Sequence, residues 1–273
     1  MKDIQITMVL RFLINFKNSN KEINYIKSNN INRQMTFKIH ECENPFPQLI
    51  QDMFSTTFNY EEPLDQIHQL LQTPNLSEEE KDYHKKLHEW RKDRDSIFVK
   101  KFHEYVDKYT HFNEAYYAFI RKYILPQFPN ETRLVIQKTP NIRFSTPNNA
   151  AIGIDPNDPE HIVGLHCDRQ FGHHHTEMNF VIPVTNMFES NSIYHEPYPN
   201  SNIQPTHFDN LVLNQNQFLE AYFNQILHCN RINRTGKTRI SFDIRVIPYS
   251  QYQENIADFK GTKFELGKYY IVL

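Results

Sequence analysis

The chain is poor in the features that usually settle a protein's class at once. Among 273 residues there are only 6 glycines, 1 tryptophan and 3 cysteines. Cys42, Cys167 and Cys229 are odd in number and far apart, so they do not make a disulfide framework, and a reducing cytoplasmic setting fits them. Charge of one sign is also lacking: 30 basic residues oppose 32 acidic ones, for a net −2. No basic cluster interleaves with aromatics, which argues against nucleic acid as a partner. No apolar run approaches the length of a membrane span, so no membrane partner is expected. The opening Ile4–Phe16 is apolar but broken by Arg11 and followed by no small-residue cleavage site, so it does not read as a signal peptide. What the chain does have is 39% hydrophobic and 14% aromatic residues, enough for a sizeable packed core in one large domain or two small ones.

The first 128 residues divide into an arm of uncertain structure, 1–35, and a helical region, 36–128. Asn18 to Asn32 is polar enough for a loop or arm. Pro45 and Pro47 suit a first helical turn, with Leu49, Ile50, Met53 and Phe54 on one face. A short helix is predicted from Pro63 with Leu64, Ile67, Leu70 and Leu71 as its apolar face, closed by Thr73-Pro74-Asn75. Ser77-Glu78-Glu79-Glu80 is a capping box, and Tyr83, Leu87, Trp90, Ile97, Phe102, Tyr105 and Tyr109 then recur at helical steps, with Arg94 interrupting. This predicts one long helix with a solvated charged face. A further helix is predicted over Phe112–Leu125, capped by Asn113 and stopped by Pro126.

After Pro129 the period shortens. Strands are predicted at Arg133–Gln137, Ile142–Ser145, His161–His166, Met178–Val184, Ser192–His195, Leu211–Leu213, Phe218–Phe223 and Arg239–Ile247. Short strands with turn residues between them indicate a β-sandwich or barrel over 129–273, giving an α+β chain with a mainly β core.

Three side chains carry the chemistry. His166 and Asp168 stand two apart at the end of an extended segment and share a face. His228 offers a third donor from a distant strand. Two histidines and one carboxylate leave metal positions open, which suits a non-haem Fe(II) oxygenase. Arg239 follows His228 by eleven residues and shares a strand face with Ser241, Asp243 and Arg245, while Ile240, Phe242, Ile244 and Val246 take the buried face. A guanidinium fork with a hydroxyl two residues on binds a carboxylate, and the distal end of 2-oxoglutarate fits.

The order His-x-Asp, distant His, Arg-x-Ser resembles the Fe(II)/2-oxoglutarate-dependent dioxygenases. Gly172-His173, Glu177 to Thr185, His228 to Asn233 and Thr235 to Val246 are similar to the group named for the streptomycin biosynthesis protein StrG. The resemblance covers roughly 133–250. It implies a double-stranded β-helix, the jelly-roll barrel, with the helical region packed outside it. It also implies His166, Asp168 and His228 as the iron ligands and catalytic centre. Arg239 and Ser241 become the 2-oxoglutarate clamp, and Asn179 a polar contact to that co-substrate. The implied reaction hydroxylates a small or amino-acid-like molecule with O2, releasing succinate and CO2; the presence of Asp168 favours hydroxylation over halogenation. Cys229 stands where the group has glycine, and His174-His175 replace small residues or proline.

Other readings stay open on the residues alone. A cupin-like or degenerate jelly-roll metal-binding protein without oxygenase activity would keep the barrel, although Arg-x-Ser has no purpose there. Cys229 is a soft ligand or a small core residue. His173-His174-His175 forms a polar loop or touches substrate. Arg143 meets an acidic substrate or a structural carboxylate. The loop Glu189–His207 is where substrate specificity would reside.

Overall fold

The computed structural model describes residues 37–73, 76–81, 96–148, 163–197 and 207–273. The arm 1–35, Pro74, Asn75, Tyr83, Leu87, Trp90, Arg94, the start of the strand expected from His161, and the centre of the Glu189–His207 loop lie outside the described residues.

The architecture is α+β, with helices against mostly antiparallel sheets. The longest strand, β10 (Arg239–Pro248), is the spine of the larger sheet. One edge pairs with β5 (Met178–Pro183), and the other is shared by β3 (Asn141–Ser145) and β2 (Leu134–Gln137). Beyond β5 lie β8 (Gln217–Ala221) and β1 (Lys38–Glu41), and beyond β2 lies β11 (Tyr270–Val272). The smaller sheet has the order β4 (Val163–His166), β9 (His228–Asn230), β6 (Ile193–His195), β7 (Asp209–Asn210).

Alternation gives β10 two different faces. Ile240, Phe242, Ile244 and Val246 join the main core with the helices α1 (Phe46–Phe58), α2 (Ile97–Lys108) and α3 (Thr110–Phe119). Phe242 lies 5.1 Å from the Phe46 ring and 5.6 Å from those of Phe102 and Phe112, centroid to centroid. The other face carries Arg239, Ser241, Asp243 and Arg245. A smaller core of Val135, Ile247, Tyr252, Phe259, Phe264 and Tyr270 is closed by two short helices, α4 (Tyr249–Glu254) and α5 (Ile256–Phe259).

Several local expectations need correcting. The predicted helix Ser77–Tyr109 is not continuous. The Ser77–Glu80 capping box forms, but Ser96 is extended and its hydroxyl accepts from the Val99 amide at 3.3 Å, starting a new helix. Residues 64–72 form a 3-10 helix, and α3 ends in a π turn over Ile120–Ile124. Asn113 does not cap α3; its amide donates to the Val106 carbonyl at 3.4 Å. Leu211–Leu213 is no strand, although Leu213 bridges to Met187. β1 brings residues from the region expected to be helical into the larger sheet, pairing with β8. Among the described residues no helix is long and apolar enough to cross a membrane.

Candidate functional site

The ends of the two sheets meet at Asp168. His166 closes β4 and His228 opens β9, and the two are direct cross-strand partners. Asp168 follows in a short 3-10 turn, where its amide donates to the Phe223 carbonyl at 2.8 Å. One donor atom from each of His166, Asp168 and His228 lies within 4.8 Å of the others. Asp168 Oδ1 is 3.5 Å from His166 Nε2 and 3.7 Å from His228 Nε2. Cis donors around a metal at about 2.1 Å stand roughly 3 Å apart, so the two sides of this triangle that meet at Asp168 need only a small contraction to suit one.

Each imidazole is also oriented from behind. His166 Nδ1 bonds to the Gly164 carbonyl, and His228 Nδ1 to the Ile226 carbonyl at 3.0 Å. A carbonyl only accepts, so Nδ1 carries a proton in each ring and Nε2 is the atom turned toward Asp168. Burial, helped by the neighbouring His166, pushes His228 down to about 4, which keeps it neutral at ordinary pH. Burial opposes ionisation of Asp168, but His166, Arg245, His228 and Asn179 together hold its carboxyl well below the usual carboxylate range. The site therefore presents two imidazole Nε2 atoms and one carboxylate oxygen to each other.

Behind Asp168 runs a buried ionic network. Arg245 Nη2 donates to Asp168 Oδ2 at 2.8 Å, Nη1 reaches Asp243 Oδ2 at 3.1 Å, and Nε stands 3.9 Å from Glu177 Oε2. Asn179, the cross-strand partner of Arg245, donates to the same Asp168 Oδ2 at 2.8 Å and to Asp243 Oδ1 at 3.4 Å. One guanidinium thus faces three carboxylates, and His173 Nδ1 meets one of them, Glu177.

Further along the same face of β10, Arg239 and Ser241 are buried, 3% and 1% exposed. Arg143 is the cross-strand partner of Ser241 and Ser145 that of Arg239. Ile142 and Phe144 turn to the helices. Alternation therefore puts Arg143 on the same face as Ser241.

No family model matches the chain. The streptomycin biosynthesis protein StrG of Streptomyces griseus is 26% identical over 147 residues, covering 50% of this chain and 58% of that protein. The match thus spans less than two thirds of the relative's length. Among solved structures, apo ThoJ, a non-heme monooxygenase, aligns over 79% of this chain and 75% of its own at 10% identity and a TM-score of 0.42. AviO1 from Streptomyces viridochromogenes Tue57 aligns over 80% and 92% at 11% identity and 0.37. SnoN, a non-heme alpha ketoglutarate dependent epimerase from nogalamycin biosynthesis, aligns over 42% and 47% at 12% identity and 0.30.

The remaining sequence candidates resolve as follows. Asn179 has its amide committed to Asp168 and Asp243. Cys229 and Cys167 are buried, with thiols raised by burial to about 12 and about 11. All three cysteines are free. His173 Nδ1 bonds to Glu177 Oε2 at 2.7 Å, and His174 is held by Thr176 at 2.7 Å and Asp258 at 3.2 Å. The Asn224 amide ties the carbonyls of His174, His175 and Glu177. The histidine triplet is thus pinned by separate partners. The sequence reading missed the attachment of Arg245 and Glu177 to this site. Its available signal was the face that Arg245 shares with Arg239 and Ser241.

Proposed function

We propose that the chain is an Fe(II)- and 2-oxoglutarate-dependent oxygenase built on a jelly-roll barrel and acting on a small molecule. The observation that carries the reading is the pair of imidazoles with Nδ1 turned to backbone carbonyls and Nε2 turned to Asp168 Oδ1. That donor set fits a divalent metal, and three side chains on one side leave positions for other ligands. The strand orders β3-β10-β5-β8 and β4-β9-β6-β7 support the barrel, because they interleave alternate strands into two sheets as a double-stranded β-helix does.

His166, Asp168 and His228 would hold the iron. Arg239 and Ser241 would hold the distal carboxylate of 2-oxoglutarate. Arg245 is already spent on Asp168, Asp243 and Glu177, which supports Arg239 as the clamp. Iron(II) with 2-oxoglutarate would supply dioxygen activation, coupling release of succinate and CO2 to oxidation of the substrate. The chain's own work is orientation: the Gly164 and Ile226 carbonyls aim the rings, and the burial of Arg239 and Ser241 keeps water from the clamp. The free thiols support a reducing, cytoplasmic compartment. An anaerobic titration with Fe(II) and 2-oxoglutarate tests the reading through its weak visible charge-transfer band. The band appears with wild-type protein; its absence, or equal 2-oxoglutarate affinity in Arg239→Ala, overturns the assignment.

A further inference from the structure

Asp168 is bound on one oxygen by two donors that both also reach Asp243. Its Oδ2 receives Arg245 Nη2 and Asn179 Nδ2, both at 2.8 Å, while Oδ1 alone faces the two imidazoles. The two donors are direct cross-strand partners on β10 and β5, so the sheet itself sets their spacing. Asp168, Asn179, Glu177 and Arg245 are all at most 5% exposed.

Such a network is a poor way to gain stability. Desolvating buried charges consumes most of their attraction, and apolar residues of equal volume often do as well. Its effect is geometric. A carboxylate whose second oxygen is saturated cannot rotate to offer both oxygens to one metal. We propose that Arg245 and Asn179 are positioning residues that restrict Asp168 to a single-oxygen contact, with Asp243 and Glu177 steering the Arg245 guanidinium. A single-oxygen contact leaves one more metal position for other ligands than a two-oxygen contact would. This rests on the metal reading of His166, Asp168 and His228.

Co(II) is a suitable probe, because its visible d–d absorption reports coordination number without turnover. Asn179→Ala removes one donor and no charge. It is expected to change the Co(II) spectrum and weaken Co(II) binding by about tenfold or more, as loss of groups behind metal ligands commonly does. Arg245→Met is expected to change the spectrum further, and Arg245→Lys to restore much of the wild-type signature. Where Arg245→Met does not fold, Asn179→Ala carries the test, with a thermal melt confirming its fold. Spectra and affinities of Asn179→Ala and Arg245→Met that match wild type would overturn the proposal while leaving the metal site standing. Failure of wild-type protein to bind Co(II) at all would overturn the metal reading and this proposal together.

Discussion

His166 and His228 face each other across the β4–β9 ladder with ring centroids 4.3 Å apart. Both rings turn Nε2 toward Asp168 Oδ1. A metal bound there stabilises the folded chain, because the three donors are brought together only by folding. At a hundred times its dissociation constant a ligand adds about 2.7 kcal/mol. For a chain of this size that is a rise in Tm of roughly 5–10 °C. The expected result in thermal-shift titrations is such a rise with Co(II) or Fe(II) for wild type, and none for His166→Ala or His228→Ala.

The clamp predicts a graded loss of 2-oxoglutarate binding. A hydrogen bond to a charged group contributes about 1.5–3 kcal/mol, and the carboxylate would take two from the Arg239 fork and one from Ser241. Arg239→Ala should therefore weaken 2-oxoglutarate by about a hundredfold or more, and Ser241→Ala by about tenfold or more. Neither should alter the Co(II)-induced Tm shift, since neither is among the three grouped donors. Calorimetry of 2-oxoglutarate with the metal-loaded protein checks the order. A larger effect at Ser241 than at Arg239 would contradict the clamp.

The alternation of β10 made its two faces legible, because Ile240, Phe242, Ile244 and Val246 leave no other way to sort the strand. The grouping of His166, Asp168 and His228, one ligand atom of each within 4.8 Å of the others, was legible from residue type and spacing. Less legible was the attachment of Arg245 to Asp168, two residues 77 apart with no local pattern linking them. The edge strands β1 and β11 are 4 and 3 residues long and owe their pairing to β8 and β2 rather than to their own sequence. The break at Ser96 was hidden because apolar residues continue at helical steps across it. A capping serine and a helix-interior serine look alike until the backbone is seen.

Ser96 makes that last point testable. Its hydroxyl satisfies the Val99 amide at the start of α2, and Ser96 is itself buried, 7% exposed. Replacing such a cap with alanine costs about 1 kcal/mol. Ser96→Ala should lower Tm by roughly 2–4 °C, with the Co(II) shift preserved. An unchanged or raised Tm would favour a continuous helix through this position.

Phe242 ties the helices to the strand that carries the site. It is fully buried, and its neighbours Ser241 and Asp243 point the other way, toward the polar face. Truncating a buried phenylalanine costs about 3–5 kcal/mol through lost transfer energy and the cavity left behind. Phe242→Ala should therefore lower Tm by roughly 6–20 °C. Val212, 62% exposed, serves as the control, since its truncation should fall within about 0.5 kcal/mol of neutral. The folded fraction of Phe242→Ala should still bind Co(II), because His166, Asp168 and His228 take no part in that core. If Phe242→Ala instead lost Co(II) binding with its Tm intact, β10 would be coupling helix packing to the site directly.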